Sequence, residues 1–388
     1  MSPRRPYSSY EVAASAPGRL DFLNTHQDYK GLPVVSVAVN LRTYAWARGG
    51  APGACGVQSA NTGESAEFRP GEPPRGRSFP DYVKAAVIAL GKAGVEARGC
   101  ELLVEGEVPV GAGMASSAAL LVAVAAALSY IWGGRTDPAF IAEVAYAAER
   151  EVMGIPCGRL DQYGSAFGGI AYINTRPPYS VEGLPPVEGS FIALDSGIRH
   201  STAEIHPRRQ AELDEGLRAL ASIAPPGLRE RLSGRHYEIK WEELSEEELK
   251  PYLAKIPEAS AKRILFTLRM HSSTLKALEI LRGRKAEAPY IPPSAYEGPD
   301  WRARAVGAVM TYQHALLRDL YDVSLPELDK IVEGAVRAGA YGAKLSGAGL
   351  GGIVMALAPE QAAEGVKGVG EARRWVLKID RGLEVKAL

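Results

Sequence analysis

Residues 100–131 constrain the fold more than any other stretch of this chain. Residues 100–108, Cys-Glu-Leu-Leu-Val-Glu-Gly-Glu-Val, have the composition of a strand and run into Pro109, glycines at 111 and 113, and the pair Ser116 and Ser117. From Ala118 to Trp132 the sequence is then almost wholly apolar, yet shorter than the roughly 20 residues a membrane span needs, so it predicts a buried helix. A strand, a glycine-rich turn and a helix in that order form an anion cradle. Gly111 and Gly113 let the backbone curl so that successive N–H groups face one concavity, and the helix N-terminus adds partial positive charge. This is not a Walker A loop, because no lysine follows the glycines. Ser116 and Ser117 are also good helix caps, which is the plainer role for serines at such a place.

Strands are expected on the N-terminal side as well, where residues 34–47 are rich in β-branched and aromatic types, and 49–77 predicts turns and short edge strands. Helices are expected at 82–93 and 139–153, and strands at 168–175 and 190–196 on either side of a turn region at 177–186. A domain boundary is placed near 195–205, giving domains 1–200 and 201–388. Residues 208–285 have helical charge spacing that marks a solvated face. Residues 286–301, with four prolines and three aromatics, predict a loop that could cover a site. Two more helices (303–322 and 326–338) precede a strand interrupted by a second glycine-rich turn.

Composition narrows the function. Forty-five basic residues balance forty-five acidic ones, so no field of one sign exists to hold nucleic acid or an anionic membrane. Three cysteines, Cys55, Cys100 and Cys157, are too few and too scattered for a disulfide framework or a zinc ribbon. Two arginines near the N-terminus lack the apolar segment of a secretory signal, so a cytoplasmic location is expected. Asn and Gln number only ten together, a scarcity of thermolabile amides associated with high growth temperature.

Three further constellations carry polar chemistry. Ser346-Gly-Ala-Gly-Leu-Gly-Gly352 has four glycines in seven positions, which suits close approach of a ligand or another chain segment to the backbone. Gly18 to Gly31 crowds Arg19, His26, Asp21 and Asp28 into a turn-rich segment. Glu149 ends a helix just before Gly154-Ile-Pro-Cys-Gly-Arg-Leu-Asp-Gln162. A dinucleotide-dependent dehydrogenase is a weak alternative, since no GxGxxG follows the first strand and opens a helix with an acid some twenty residues on.

Taken in order, Pro17-Gly-Arg19 with His26-Gln-Asp-Tyr29, the loop from Pro109 to Ala119, and Ser346 to Gly352 resemble the GHMP small-molecule kinases (galactokinase, homoserine kinase, mevalonate kinase, phosphomevalonate kinase). Residues 148–162, 195–210 and 314–329 resemble the galactokinase branch in particular. The resemblance implies an α+β, two-lobed fold with the active site in the cleft between lobes. It also implies an enzyme that moves the ATP γ-phosphoryl group to the anomeric hydroxyl of a sugar with Mg²⁺, galactose first. Galacturonate, arabinose, fucose or an amino sugar are alternatives, and a non-catalytic ATP and sugar sensor is a further one.

The same resemblance assigns roles. Gly111, Gly113, Ser116, Ser117, Gly347 and Gly349 would bind ATP, Ser117 (or Ser116) and Glu149 would hold Mg²⁺, and Phe79 would lie near the adenine or else be a core aromatic. An oxygen-only donor set suits that hard cation. Asp161 would stand beside the reacting hydroxyl with Arg19 as its partner, whose charge favours the ionised carboxylate. Asn24, Thr25, His26, Asp28 and Gly158 would contact the sugar. Two departures bear on specificity: Thr25 replaces the glutamate that holds the C6 hydroxyl, and Ile205 or His206 replaces a sugar-contacting tyrosine. Loss of a buried acceptor relaxes discrimination at the group it bonded, which would admit a 6-deoxy sugar, a pentose or a uronic acid.

Overall fold

The computed structural model describes residues 9–199, 205–366 and 373–388. The chain forms two compact units, the first from residues to Arg19, Val37–Ala171 and Ile379–Leu388, the second from Leu20–Ser36 and Tyr172–Lys378. Residues 1–200 and 201–388 thus each contribute to both units.

The strands and helices of the first unit are β1 (Val12–Leu23, which continues into the second unit), β2 (Val34–Gly49), β3 (Cys55–Ser59), β4 (Ser65–Phe68), α1 (Phe79–Lys92), β5 (Cys100–Gly106), α2 (Ser116–Ile131), α3 (Pro138–Ala147) and α4 (Leu160–Phe167). The C-terminal strand of the chain returns to pair with β1, Val12 opposite Ala387, and starts the order C-terminal strand, β1, β2, β5, β3, β4. β2 and β5 are antiparallel, whereas β3 and β5 are parallel with Cys55 opposite Cys100.

The expected buried helix is α2. Ala118, Leu121, Val122, Val124 and Leu128 are fully buried, and α2 packs against α1, α3, α4 and β5. Its many alanines permit that close approach on several sides. Truncating Leu121 or Leu128 to alanine would cost about 2–5 kcal/mol.

One buried arginine fixes the returning C-terminus. Arg42 donates from Nε to Ser15 Oγ (3.1 Å), from Nη2 to the Ser15 and Gly382 carbonyls (2.9 and 2.8 Å), and from Nη1 to Asp380 Oδ2 (2.8 Å). The four-residue strand it holds, Glu384-Val-Lys-Ala387, alternates polar and apolar residues, but the run is short and lies in charged sequence, so the sequence alone does not single it out.

In the second unit the elements are β6 (Ile170–Asn174), β7 (Ser180–Leu184), β8 (Ser190–Asp195), α5 (Ile205–Ile223), α6 (Pro226–Leu232), α7 (Glu246–Leu253), α8 (Glu258–Leu281), α9 (Trp301–Asp319), α10 (Pro326–Arg337), β9 (Gly342–Ser346), β10 (Ile353–Ala358), α11 (Glu360–Ala363) and β11 (Arg374–Leu377); β12 (Glu384–Ala387) is the returning strand. The antiparallel order is β11-β8-β10-β9. Ile192, Leu194, Val354 and Ala356 pack under Leu328, Ile331 and Ala335 of α10. The segment at 177–186, expected to be turns, contains β7, which pairs with β6. The proline-rich segment 286–300 is anchored: the Tyr290 ring stacks on Tyr312 of α9 with centroids 3.9 Å apart, and Ile291 and Ala295 are buried. No helix among the described residues is long and apolar enough to cross a membrane.

Candidate active site

In the first unit, the turn between β5 and α2 takes left-handed conformations at alternate residues: Gly111 (φ 71°), Gly113 (φ 80°) and Ala115 (φ 57°). Glycine relieves the strain of that geometry at two of the three. Ala115, not a serine, is the N-cap of α2, and no side chain caps the helix. Ser116 and Ser117 are therefore its first two residues. The opening N–H groups of α2 lack a side-chain acceptor, which is the arrangement that receives an anion.

Arg19 joins this loop to Asp161. Its backbone N–H donates to the Met114 carbonyl (3.1 Å) and its Nη1 to the Gly113 carbonyl (2.9 Å), while Nε and Nη2 both donate to Asp161 Oδ1 at 3.0 and 2.5 Å. The guanidinium is buried, and the Asp161 side chain is about one-third exposed, at 31%. Both bonds go to Oδ1, leaving Oδ2 of this carboxylate for another donor. Asp161 is the second residue of α4, and a bracket at the other side of that helix fixes it. Arg159 Nε and Tyr163 OH both donate to Glu143 Oε1 of α3, at 2.8 and 2.5 Å. Gly158 lies in the half-buried turn that leads into α4.

Glu149 sits where α3 gives way to a single π-helical turn, Ala148–Val152, an irregularity common at functional sites. Ser117 Oγ donates to its Oε1 (2.9 Å) and Gln162 Nε2 to its Oε2 (2.6 Å). Burial raises the Glu149 pKa, as does the charge of Asp161, while these two hydrogen bonds oppose the rise. A divalent cation fits this donor set: a buried carboxylate gains from a positive neighbour, and Ser117 adds a neutral oxygen beside it. Among the described residues no three His, Cys, Asp or Glu form a metal cage. An ion at Glu149 would thus draw most ligands from phosphate oxygens and water, which suits Mg²⁺. Gln162 was not singled out from the sequence, although it directly follows Asp161.

The candidate sugar residues Asn24 to Asp28 belong to the second unit. Asn24 and His26 both have φ 65°, a conformation Asn tolerates better than most residues. Thr25 is buried, and its Oγ1 accepts from Lys344 Nζ at 2.7 Å; the same ammonium donates to the Asp21 carbonyl at 2.8 Å. Lys344, wholly buried on β9, was missed in the sequence, where its one signal is a lone lysine inside an apolar strand.

His26 is buried with both ring nitrogens engaged. A carbonyl only accepts, so Nε2 carries the proton and donates to the Ala348 carbonyl (3.1 Å), and Nδ1 accepts from Tyr29 OH (3.2 Å). Tyr29 OH in turn bonds Tyr321 OH at 2.5 Å. Burial, then the neighbouring His206 and Lys30, hold the His26 pKa well below its ordinary value, so the ring is neutral. Asp28, half-buried, opens the helical turn Asp28–Lys30. Ile205 begins α5, and its side chain lies outside the described set.

His26 thereby ties this motif to the second glycine-rich turn. That turn packs on the chain itself: Leu350 N–H donates to the Val323 carbonyl (2.7 Å), and a Cβ at Gly349 (φ 86°) would lie 2.3 Å from the same oxygen. Glycine at 349 is thus required by the protein's own backbone. At Gly347 nothing lies within 4 Å of such a Cβ, so that backbone is open to a ligand. Phe79 is the half-buried first residue of α1, and the neighbouring Asp81 completes a capping box with Ser78.

Residues 81–169 match the family described as GHMP kinases N terminal domain, 302–371 match GHMP kinases C terminal, and 4–48 match the galactokinase galactose-binding signature. The galactokinase of Thermotoga neapolitana is 31% identical over 364 residues, covering 92% of each chain. The chain belongs to the galactokinase branch of the GHMP kinases. Human galactokinase is 30% identical over 375 residues, covering 91% of this chain and 85% of the relative. In fold, this GHMP kinase chain is similar to the crystal structure of Lactococcus lactis galactokinase complexed with galactose, with a TM-score of 0.79, 24% identity and coverage of 96% of this chain and 95% of that one. A mevalonate kinase structure follows with a TM-score of 0.66, 18% identity and coverage of 95% and 98%. The α+β GHMP kinase fold expected from the motifs is the fold observed.

Proposed function

We propose that this chain transfers the γ-phosphoryl group of ATP to the anomeric hydroxyl of a monosaccharide, galactose first. The observation that carries the reading is the Arg19 guanidinium, which bonds the Gly113 carbonyl of the glycine loop and the Asp161 carboxylate together. A phosphate cradle and a carboxylate are thus held in one rigid relation, which is what positioning a hydroxyl against a phosphoryl group demands.

The open N–H groups of α2, with the loop at Gly111 and Gly113, would receive the phosphates. Asp161 Oδ2 would accept the hydroxyl proton, while Arg19 fixes Oδ1 and offsets charge on the transferred group. Glu149 and Ser117 would hold Mg²⁺, which when bound neutralises phosphate charge. Gly347 offers a second stretch of open backbone to the nucleotide. Asn24, Thr25, His26, Asp28 and Gly158 are the proposed sugar contacts. Because both His26 nitrogens are engaged within the protein, its contact would come from the main chain. Function without nucleic acid or an anionic membrane accords with the neutral charge balance, and a cytoplasmic location accords with the lack of an apolar segment behind the N-terminal arginines.

A uronic acid is the second candidate, favoured by one observation: the residue proposed to face C6, Thr25, is bonded to the buried ammonium of Lys344. Sugar-dependent ADP release measured across galactose, arabinose, fucose, galacturonate and amino sugars decides between these. Phosphorus NMR of the product should show an anomeric phosphate. Phosphate on C6 overturns the anomeric assignment, and no sugar-dependent release with any of them overturns the proposal and leaves the sensor.

A further inference from the structure

Cys55 and Cys100 were expected to stand apart, being 45 positions distant in sequence. The fold brings them into register on the parallel strands β3 and β5, as directly opposed Cα partners. Opposed residues of neighbouring strands project from the same face of the sheet, and their Cα atoms lie about 4.8 Å apart. That is inside the range of about 4.4–6.8 Å that a disulfide spans. Both side chains are buried, at 0% and 1% exposure, and both thiols are free. Cys55 Sγ donates to the Arg98 carbonyl at 3.7 Å; the neighbouring Cys100 lowers the Cys55 pKa, while Cys55 and burial raise that of Cys100. Cys157, the remaining cysteine, lies near Gln162 in the turn before α4.

We propose that Cys55 and Cys100 form a site of reversible disulfide formation, closing residues 55–100 into a covalent loop. The oxidant is a small-molecule disulfide. The Cys55 thiolate attacks one of its sulfurs, releasing one small thiolate and leaving a mixed disulfide on Cys55. The Cys100 thiolate then attacks the Cys55 sulfur and releases the second small thiolate. Two protein thiols give up two protons and two electrons, and one small disulfide becomes two thiols.

Access comes from the sheet edge. Among the described residues, β3, with five residues, pairs on its outer side with β4, which has four and is the last strand in the order; Cys55 is opposite Phe68 at the end of that pairing. Short edge pairings open at low free-energy cost, so Cys55 is exposed transiently without global unfolding. The Cβ atoms of a registered pair are set by the strand spacing of about 4.8 Å, wider than the mean of about 3.8 Å in disulfides. Closing the bond draws β3 toward β5, and that strain makes the bond readily reducible. The linked loop contains α1, which packs against the turn bearing Glu149, so oxidation restrains the support of that turn.

The test uses the intact protein incubated with excess oxidised glutathione, below its unfolding temperature, and then quenched in acid. Thiols counted in denaturant should fall from three to one, the intact mass should drop by two hydrogens, and peptide mapping should join the peptides holding Cys55 and Cys100. Dithiothreitol should restore three thiols. The Cys157→Ser variant should fall from two thiols to none, and Cys100→Ala should form no internal link and gain at most a glutathione adduct. Three thiols persisting at equilibrium, or a link that includes Cys157, overturns the proposal. Because Cys157→Ser leaves the sheet untouched, a folding defect in Cys100→Ala does not blunt the result.

Discussion

Gln162 Nε2 lies 2.6 Å from Glu149 Oε2, while Ser117 Oγ lies 2.9 Å from Oε1, so neutral donors hold both oxygens of one buried carboxylate. Gln162 is itself wholly buried, and its Oε1 has no hydrogen-bond partner among the described residues. A carboxylate only accepts, so the amide must present its NH₂ to Glu149. Asp161 and Gln162 are consecutive on α4, and consecutive helical residues face different directions. One helix start thus supplies the arginine-paired carboxylate and the group that orients Glu149.

Gln162→Met should therefore weaken metal use and spare sugar use. Loss of a group orienting a metal ligand typically lowers metal affinity 10–100-fold. Calorimetric titration of Mg²⁺ into the enzyme–ADP mixture should show a drop of about that size, with the sugar KM nearly unchanged and Glu149→Gln reproducing the defect. An unchanged titration for Gln162→Met alone makes Gln162 a packing residue; an unchanged titration for both removes Mg²⁺ from Glu149.

Asp161→Asn should keep its shape beside Arg19 while losing the charge proposed to accept the hydroxyl proton. Turnover should fall by about two to four orders of magnitude, with nucleotide binding nearly intact. If the Arg19 pair were only structural, the melting temperature would fall and kcat would hold. Measuring kcat and thermal unfolding on the same preparation separates the two.

How much of this was legible in the residues depended on how local the information is. The β5–loop–α2 unit was readable because glycines, a helix start and an apolar run each signal over a few positions. Glu149, Asp161 and Arg19 entered through the resemblance, and the structure joins Arg19 to Asp161. Lys344 and Gln162 were not readable, since the contacts that matter are made with residues more than ten positions away, Asp21 and Thr25 for the one and Glu149 for the other. The same holds for the registered cysteines, whose opposition depends on a parallel crossover, and for β12, whose alternating run is only four residues long and whose place is set by β1 and Arg42, both distant in sequence. The glycines of the second turn suit close approach of a ligand or another chain segment, and at Gly349 the structure shows the second, the Val323 carbonyl 26 positions away.

Acid should destabilise the fold before the carboxylates titrate. Burial is the first cause of a lowered pKa at His26, His236, His271 and His314, so the folded state binds fewer protons there than the unfolded chain. Stability then falls as pH drops below the unfolded value of about 6.5, by at most about 1.4 kcal/mol per pH unit for each histidine. Urea midpoints at pH 7.5, 6.5 and 5.5 should decline in that order. His271 has a buried Nδ1 with no partner, so His271→Met should flatten the decline without removing a bond. A midpoint independent of pH across this window would contradict the assignment.

Thr25 is where the proposed substrate can be tested most directly, because its one hydroxyl is bonded to the buried Lys344 ammonium at 2.7 Å. Thr25→Val leaves that ammonium short of an acceptor and should cost about 1–3 kcal/mol of stability, read as a lower urea midpoint, whereas Thr25→Ser should cost little. Thr25→Glu places a carboxylate beside Lys344. If position 25 faces the sugar C6, the new acceptor should raise kcat/KM for galactose, and like-charge repulsion should lower it for galacturonate. Fucose, with no hydroxyl at C6, should gain little. Comparing the three sugars in the parent and in Thr25→Glu, with the midpoints confirming that both proteins are folded, gives the answer. An unchanged order and unchanged ratios would mean that Thr25 serves only to seat Lys344 and that another residue reads C6.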